Sequence, residues 1–344
     1  MKRFVSAAIL SLASGTMPMT TQAQTEIDIA STFPTDMVFL GEGLKHFTAT
    51  LKDISGGELN FRIHGAGELI PALEVLNNVS SGAVAAGYDW VGYWGGSIPV
   101  TNLVGALPFG PEPDVLAEWI WEGGGMEIIQ SAYDEYNVKF LPCVIVPAEP
   151  AGWFNKEIKS TGDLNGLRMR IGGLAGRALA ELGVSTQVIP GGEVYISLER
   201  GRIDAAEFSL PSIDSSIQLQ DAAKYYYFPG WHQPSSINSV IINKGVWDDF
   251  DATQQAQIMA ACRSSFLWTL TSAAGDQSAT LKELEANGTV IKTLPDEVLA
   301  ALKEATQKVI AEESGKDPYF KEAYDSLTAY MEASAGWHDL QTIE

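Results

Sequence analysis

The chain is poor in positive charge and almost free of cysteine. Its 22 lysines and arginines stand against 43 aspartates and glutamates, a formal net charge of -21 over 344 residues, and the acidic residues are spread along the chain instead of gathered into a tail. Such a balance argues against nucleic acid or an anionic membrane surface as partner. It leaves the sign of a small ligand open, because a local arginine outweighs a distant, salt-screened field. The four histidines, His46, His64, His232 and His338, show no zinc-ligand spacing. There is no Gly-x-Ser-x-Gly elbow and no phosphate-binding loop, and Gly173-Leu174-Ala175-Gly176 lacks the full dinucleotide fingerprint. No pattern of this kind supports catalysis. Of the two cysteines, Cys143 and Cys262, each sits in an apolar run; an oxidising compartment permits a disulfide, but the setting favours two buried free thiols.

Long apolar runs are missing too, except near the start. Met1-Lys2-Arg3 precedes an apolar stretch over 4–12, then small and polar residues to Ala23. This order of charge, apolar core and small-residue cleavage site is that of a secretory signal peptide over 1–23. The stretch is far short of the roughly 20 residues that span a bilayer. Removing Lys2 and Arg3 takes the charge from -21 to -23. An exported, periplasmic protein is expected.

About 320 mature residues exceed one compact core, so two lobes are expected. Strand-like stretches at 27–33, 59–63 and 83–88 alternate with helical ones at 37–55 and 70–80, the order of a mainly parallel, wound sheet. An apolar run over 138–146, broken by Pro147 and Pro150, reads as a strand leaving the first lobe. A second α/β unit follows, and 238–243 reads as a strand returning. The expected division is 24–148 and 236–265 for the first lobe, and 149–235 and 289–344 for the second. From 253 to 286 there is no proline and one glycine, Gly275, which predicts a connecting helix over 252–287, roughly 50 Å long and straddling both lobes. Two further helices are expected over 296–333.

The most informative stretch runs from 149 to 233. The strand Leu167-Arg168-Met169-Arg170-Ile171 leads into Gly172-Gly173 and a helix, and a second strand ends at Glu207. Alternation puts Arg168 and Arg170 opposite the apolar residues, with Arg170 nearer the strand's carboxyl end, where ligands of open α/β sheets lie. Its planar fork suits a carboxylate. The first helix amides, at Leu174, are expected to face the same crevice. A structural salt bridge, including an Arg170–Glu207 pair joining two strands, remains equally open; Arg168 is assigned to structure. Glu149 and Gln233 sit at the two crossings and, with Glu207, offer oxygen donors for a hard cation. Two aromatic runs, Trp90 to Trp94 and Tyr225 to Trp231, suit either core or a pocket for an apolar group.

Assembled, these motifs resemble the extracytoplasmic substrate-binding subunits of TRAP (tripartite ATP-independent periplasmic) transporters, the DctP-type family. The likeness covers nearly all of the mature chain and is strongest over 152–158, 163–171, 190–195, 201–205 and 224–232. The Pro190 and Tyr225 motifs are similar to the branch that binds 2-oxo acids and related monocarboxylates. The resemblance implies a two-lobed periplasmic-binding-protein clamshell, no enzyme activity, delivery of a small organic acid to a membrane permease, and Arg170 as the carboxylate anchor. It also implies a bridging cation, sodium or calcium, held by Glu149, Glu207, the Phe208 carbonyl and Gln233. Trp90, Tyr93 and Trp231 are expected around the ligand. Many relatives carry two tyrosines where this chain has Gly92-Tyr93, so Gly92 is expected to vacate space for an acid larger than pyruvate, branched or aromatic. A homodimer through the C-terminal helices, using 319–331, is a further implication; the same stretch also suits packing on its own lobe. The competing readings are an exported enzyme using Glu149 and Glu207 as a carboxylate pair, and a sensory protein presenting the closed clamshell to a receptor.

Overall fold

The computed structural model describes residues 24–273 and 275–341; the expected signal peptide lies outside the described residues. Among the described residues the strands are, in chain order, β1 (Thr25–Ser31), β2 (Leu59–His64), β3 (Ala86–Trp90), β4 (Val138–Pro147), β5 (Gly152–Phe154), β6 (Arg168–Arg170), β7 (Ser185–Gln187), β8 (Ala205–Ala206), β9 (Tyr225–Phe228), β10 (Ser235–Asn243) and β11 (Val290–Thr293). They form two sheets, ordered β2-β1-β3-β10-β4 and β11-β9-β5-β8-β6-β7. Each sheet holds one reversed strand: β10 runs antiparallel to both neighbours in the first, and β5 does so in the second. These are the strands by which the chain enters one sheet after leaving the other. A crossing without a helical return reverses direction, which parallel pairing does not tolerate.

The sequence explains the layers. β10 and most of β4 are buried along their whole length, as central strands covered on both faces must be. The helix Leu40–Ile54 has an apolar stripe, with Leu44, Phe47 and Leu51 buried, and lies with the helix Ala252–Ser272 on the first sheet. Asp251 caps that second helix by accepting hydrogen bonds from the amides of Thr253 and Gln254.

Three expectations need correction. Cys143 of β4 and Cys262 of the helix above it form a disulfide across 119 residues of sequence, not two free thiols. Apolar flanks report burial, whereas pairing depends on which strand and helix pack together. The connecting segment is two helices, Ala252–Ser272 and Gln277–Ala286, with Ala273, Gly275 and Asp276 in turns between them. The first packs on the first sheet and the second against the helix Pro211–Ser216 of the second lobe, so the segment joins both lobes as two helices rather than one. Finally, the C-terminal part does not stay with the second lobe. The helix Asp296–Lys316 packs on Gly173–Glu181, but Pro318–Gln341 lies on Gly125–Asp134 and reaches Pro113–Trp121 and Thr101–Ala106 of the first. Phe320, Ala323 and Leu327 are buried there, and Ser326 Oγ accepts a hydrogen bond from Trp119 Nε1 at 3.1 Å. No helix among the described residues is long and apolar enough to cross a membrane.

Candidate functional site

Between the sheets lies a narrow cavity bordered by Phe33, Leu40, Trp90, Tyr93, Val146, Glu149, Arg170, Glu207, Phe208, Ser209, Gln233, Ser236 and Asn238. Its walls are strand ends. β1 ends just before Phe33, β3 ends at Trp90, β6 at Arg170, and β8 just before Glu207. These are carboxyl edges, where backbone groups and side chains are free to face a ligand.

β6 and β8 pair in parallel, with Arg170 beside Ala206, so Arg170 and Glu207 emerge side by side. Arg170 Nη1 donates to the Glu207 carboxylate at 2.6 Å and to the Glu207 carbonyl at 2.7 Å, and Nε donates to the Ile189 carbonyl at 3.2 Å. The Tyr93 phenol also approaches the guanidinium, which thus ties two strands together and stands at the cavity wall. The Phe208 ring lies over it, 5.2 Å from Cζ. Burial works against the arginine's charge, but Glu207, Tyr93 and Glu149 favour it. Burial likewise opposes the Glu207 carboxylate, and Arg170 and His232 outweigh it, holding the group below the usual range.

Glu149 is brought in by the crossings. The segment after β9 passes through a cis Phe228–Pro229 peptide and Gly230, whose Cα lies against the Glu149 carbonyl so closely that any side chain at 230 would collide with it. The Glu149 amide donates to the Gln233 carbonyl at 3.2 Å, tying the crossings together. Ser209 Oγ donates to Glu149 Oε1 at 2.9 Å, while Oε2 is buried without a partner. Burial, then Glu207, push this carboxyl well above the usual range. Gln233 spends its amide donor on Ser236 at 3.0 Å.

His232, set aside on spacing, completes the cluster. Its Nε2 lies 3.5 Å from Glu207 Oε2 and 3.9 Å from Glu149 Oε2, and neither ring nitrogen has a hydrogen-bond partner. Glu149, Glu207 and His232 each bring a ligand atom within 4.8 Å of the others. Ser209, Ser236, Asn238, Phe33, Leu40 and Val146 were also absent from the expected set. None carries a local signature, since each becomes a wall residue only through sheet pairing.

Other placements differ from expectation. Trp231 does not border the cavity; it is buried against Phe109 at 5.7 Å. The helix start is not exposed to the cavity either. Val188 and Trp90 fill the space beside Gly172, Asn102 stands beside Gly173, and Leu174 is fully buried. Gly92 does not vacate space for a ligand, because a Cβ there would fall inside the Trp90 indole. The glycine admits that ring, whose Nε1 donates to the Gly105 carbonyl at 3.0 Å and which meets Tyr93 edge-on at 5.1 Å.

Residues 30–316 match the family model described as bacterial extracellular solute-binding protein, family 7 (DctP). The chain is 33% identical over 301 residues to the monocarboxylate 2-oxoacid-binding periplasmic protein of Nostoc sp. (strain PCC 7120), covering 88% of this chain and 83% of that one. A TRAP transporter solute-binding protein of Bordetella bronchiseptica RB50, a mixed-occupancy dimer with copurified calcium and picolinate, superposes with a TM-score of 0.90 at 31% identity, covering 93% of this chain and 95% of that one. The TRAP periplasmic solute-binding protein of Pseudoalteromonas atlantica T6c, with bound sodium and pyruvate, gives 0.88 at 30% identity, covering 93% and 100%. These relatives are substrate receptors of transporters, not enzymes, and in the two solved structures a metal ion accompanies the carboxylate. The chain belongs to the DctP family of bacterial extracellular solute-binding proteins, the receptors of TRAP transporters.

Proposed function

We propose that this receptor works in the periplasm, captures a 2-oxo or 2-hydroxy monocarboxylate between its lobes and hands it to a TRAP membrane permease. What carries the reading is Arg170, a buried guanidinium at the cavity wall beside the Tyr93 phenol and Phe208. A carboxylate accepting from it forms a charge-assisted hydrogen bond, a contribution of about 1.5–3 kcal/mol.

A cation fits the same cluster. Glu207 is matched by Arg170, whereas burial and Glu207 disfavour a charge on Glu149, so a cation is what lets both carboxylates and an incoming acid be ionised together in this buried site. The partnerless Glu149 Oε2 and the His232 nitrogens are the orphans a bound ion would satisfy. We assign the ion to Glu149 and Glu207, with His232 nearby and the Gln233 and Phe208 oxygens as further donors. When bound, it neutralises the carboxylates and offers open coordination to the ligand's oxygens. Arg170 then orients the acid, Ser209 holds Glu149 in place, and Trp90 and Phe208 exclude water.

Gly92 gives no support to a bulky acid. The reading of a ligand larger than pyruvate, branched or aromatic, rests instead on the apolar residues Phe33, Leu40 and Val146 at the cavity border. Mass spectrometry of acid retained through purification, followed by calorimetry with and without chelator, tests all three points. The expected outcome is a 2-oxo or 2-hydroxy acid whose affinity falls at least about tenfold when the cation is stripped. Pyruvate binding more tightly than every bulkier acid would refute the size reading.

A further inference from the structure

The first lobe's wall holds one polar group that the protein itself does not use. Asn238 lies on β10 opposite Trp90 of β3 and Val144 of β4, and shares its strand face with Ser236, two residues earlier; both border the cavity. The register of β10 against β4 shifts immediately after it, with Ser239 opposite Pro142 and Cys143 passed over. Bulges of this kind re-aim side chains beside binding sites. Asn238 is 1% exposed, and its Nδ2 has no hydrogen-bond partner. The Tyr88 phenol is close to it, but its own proton goes to the Leu40 carbonyl at 3.0 Å, and the approach of Nδ2 does not have hydrogen-bond geometry. A buried donor left unmade costs stability, and an aliphatic residue would suit a wall shared with Phe33, Leu40 and Val146. The cost is recovered when a ligand supplies an acceptor.

We infer that Asn238 is a specificity-determining residue that hydrogen-bonds a second polar group of the ligand, so that the acid taken by this protein carries a hydroxyl, carbonyl or ring nitrogen beyond the part held at Arg170. This rests on reading the cavity as a monocarboxylate site. The two anchors stand on opposite walls, so an acid bearing both groups is gripped from each lobe, whereas a plain alkyl acid is held by polar contacts from one wall. Closure then depends on the chemistry of the far end of the ligand, since only contacts specific to the closed state favour it.

The test is calorimetry with isosteric pairs that exchange a methyl for a hydroxyl: 2-oxobutanoate against 3-hydroxypyruvate, and 2-oxopentanoate against 4-hydroxy-2-oxobutanoate. The wild-type protein is expected to prefer the hydroxylated member of at least one pair by about tenfold, the range of one neutral hydrogen bond. Asn238→Leu is expected to erase or invert that preference, read as the affinity ratio within each pair. Asn238→Ser, which retains a hydroxyl, should fall between, and it carries the test alone if the leucine variant does not fold. Equal discrimination by wild type and variants, or a uniform loss across both members, overturns the role of Asn238 while leaving the monocarboxylate site standing. If the wild-type protein binds none of the four acids, both readings fall together.

Discussion

On the side of the second sheet the cavity presents Arg170 and Glu207, with Glu149 and His232 at the crossings; on the side of the first it presents Phe33, Leu40, Trp90, Tyr93 and Asn238, none of them charged. The charged wall is held together by its own bonds, Arg170 to Glu207 and Ser209 to Glu149, because buried charges without partners are too costly to keep. The neutral wall needs no such scaffold and is fixed by ring contacts, Trp90 on Tyr93 and Phe33 on Tyr88. Recognition of the acid group is thereby concentrated in one lobe, while selection by shape and by the remote end of the ligand falls to the other. Buried aspartates deeper in each lobe follow a shared plan: Asp89 accepts from Trp94 Nε1 at 2.7 Å, and Asp214 from Trp153 Nε1 at 2.9 Å. Only Asp214 is wired to the site, through the Ser209 amide at 2.9 Å.

The sharpest way to break this contrast is Arg170→Ala. It strips the ligand's anchor and leaves Glu207 buried without its main partner, so we expect binding to be lost by calorimetry and unfolding stability to drop by about 3–5 kcal/mol. Wild-type affinity in that variant would place the anchor elsewhere. A double Cys143→Ser, Cys262→Ser variant acts on the opposite lobe: stability should fall by about 2–5 kcal/mol, the range for removing a native disulfide, with acid affinity nearly unchanged. A large loss of affinity would mean the neutral wall depends on that link more than its ring contacts suggest. Next in size is a pH effect in the same lobe. Burial raises the Asp89 carboxyl from its ordinary value to about 7. The folded protein therefore binds that proton more tightly than the unfolded chain, and the stability this contributes is full below about pH 4 and lost as pH rises towards 7. Asp89→Asn should gain on wild type between pH 5 and pH 8 in denaturation midpoints; a constant difference would show that Asp89 does not titrate in this range. Arg168→Ala is expected to do least. Arg168 lies two residues from Arg170 but makes an exposed pair with Asp204, at 2.9 and 2.7 Å, so stability and affinity should both stay close to wild type.

Sequence patterns revealed what depends on neighbours along the chain. Arg170 and Glu207 could be placed because strand alternation and the turn that follows are local properties, and the exit from the first lobe after 138–146 could be placed because Pro147 and Pro150 break that run. What pairing decides remained hidden. His232 acquires meaning only when Glu149 and Glu207 arrive beside it from far away in sequence, and Asn238 when β10 pairs between β3 and β4 at the cavity wall. The Gly92 expectation failed for a related reason: a missing side chain was taken as free volume, whereas the indole two residues earlier folds back over it. Trp231 shows the reverse case, an aromatic next to a site residue that points into the core. The C-terminal helix strayed from its expected lobe because an amphipathic stripe tells which face is buried, not against which partner.

The break between Ser272 and Gln277 has a mechanical consequence. An unbroken α-helix running from one sheet to the other would be a strut, and turning one half of the molecule against the other would mean bending a stiff rod. Here the link is instead two helices, Ala252–Ser272 on the first sheet and Gln277–Ala286 against the second lobe. Fusing the two into one continuous helix would therefore ask, without touching a residue of the bite, whether the jaws need that division.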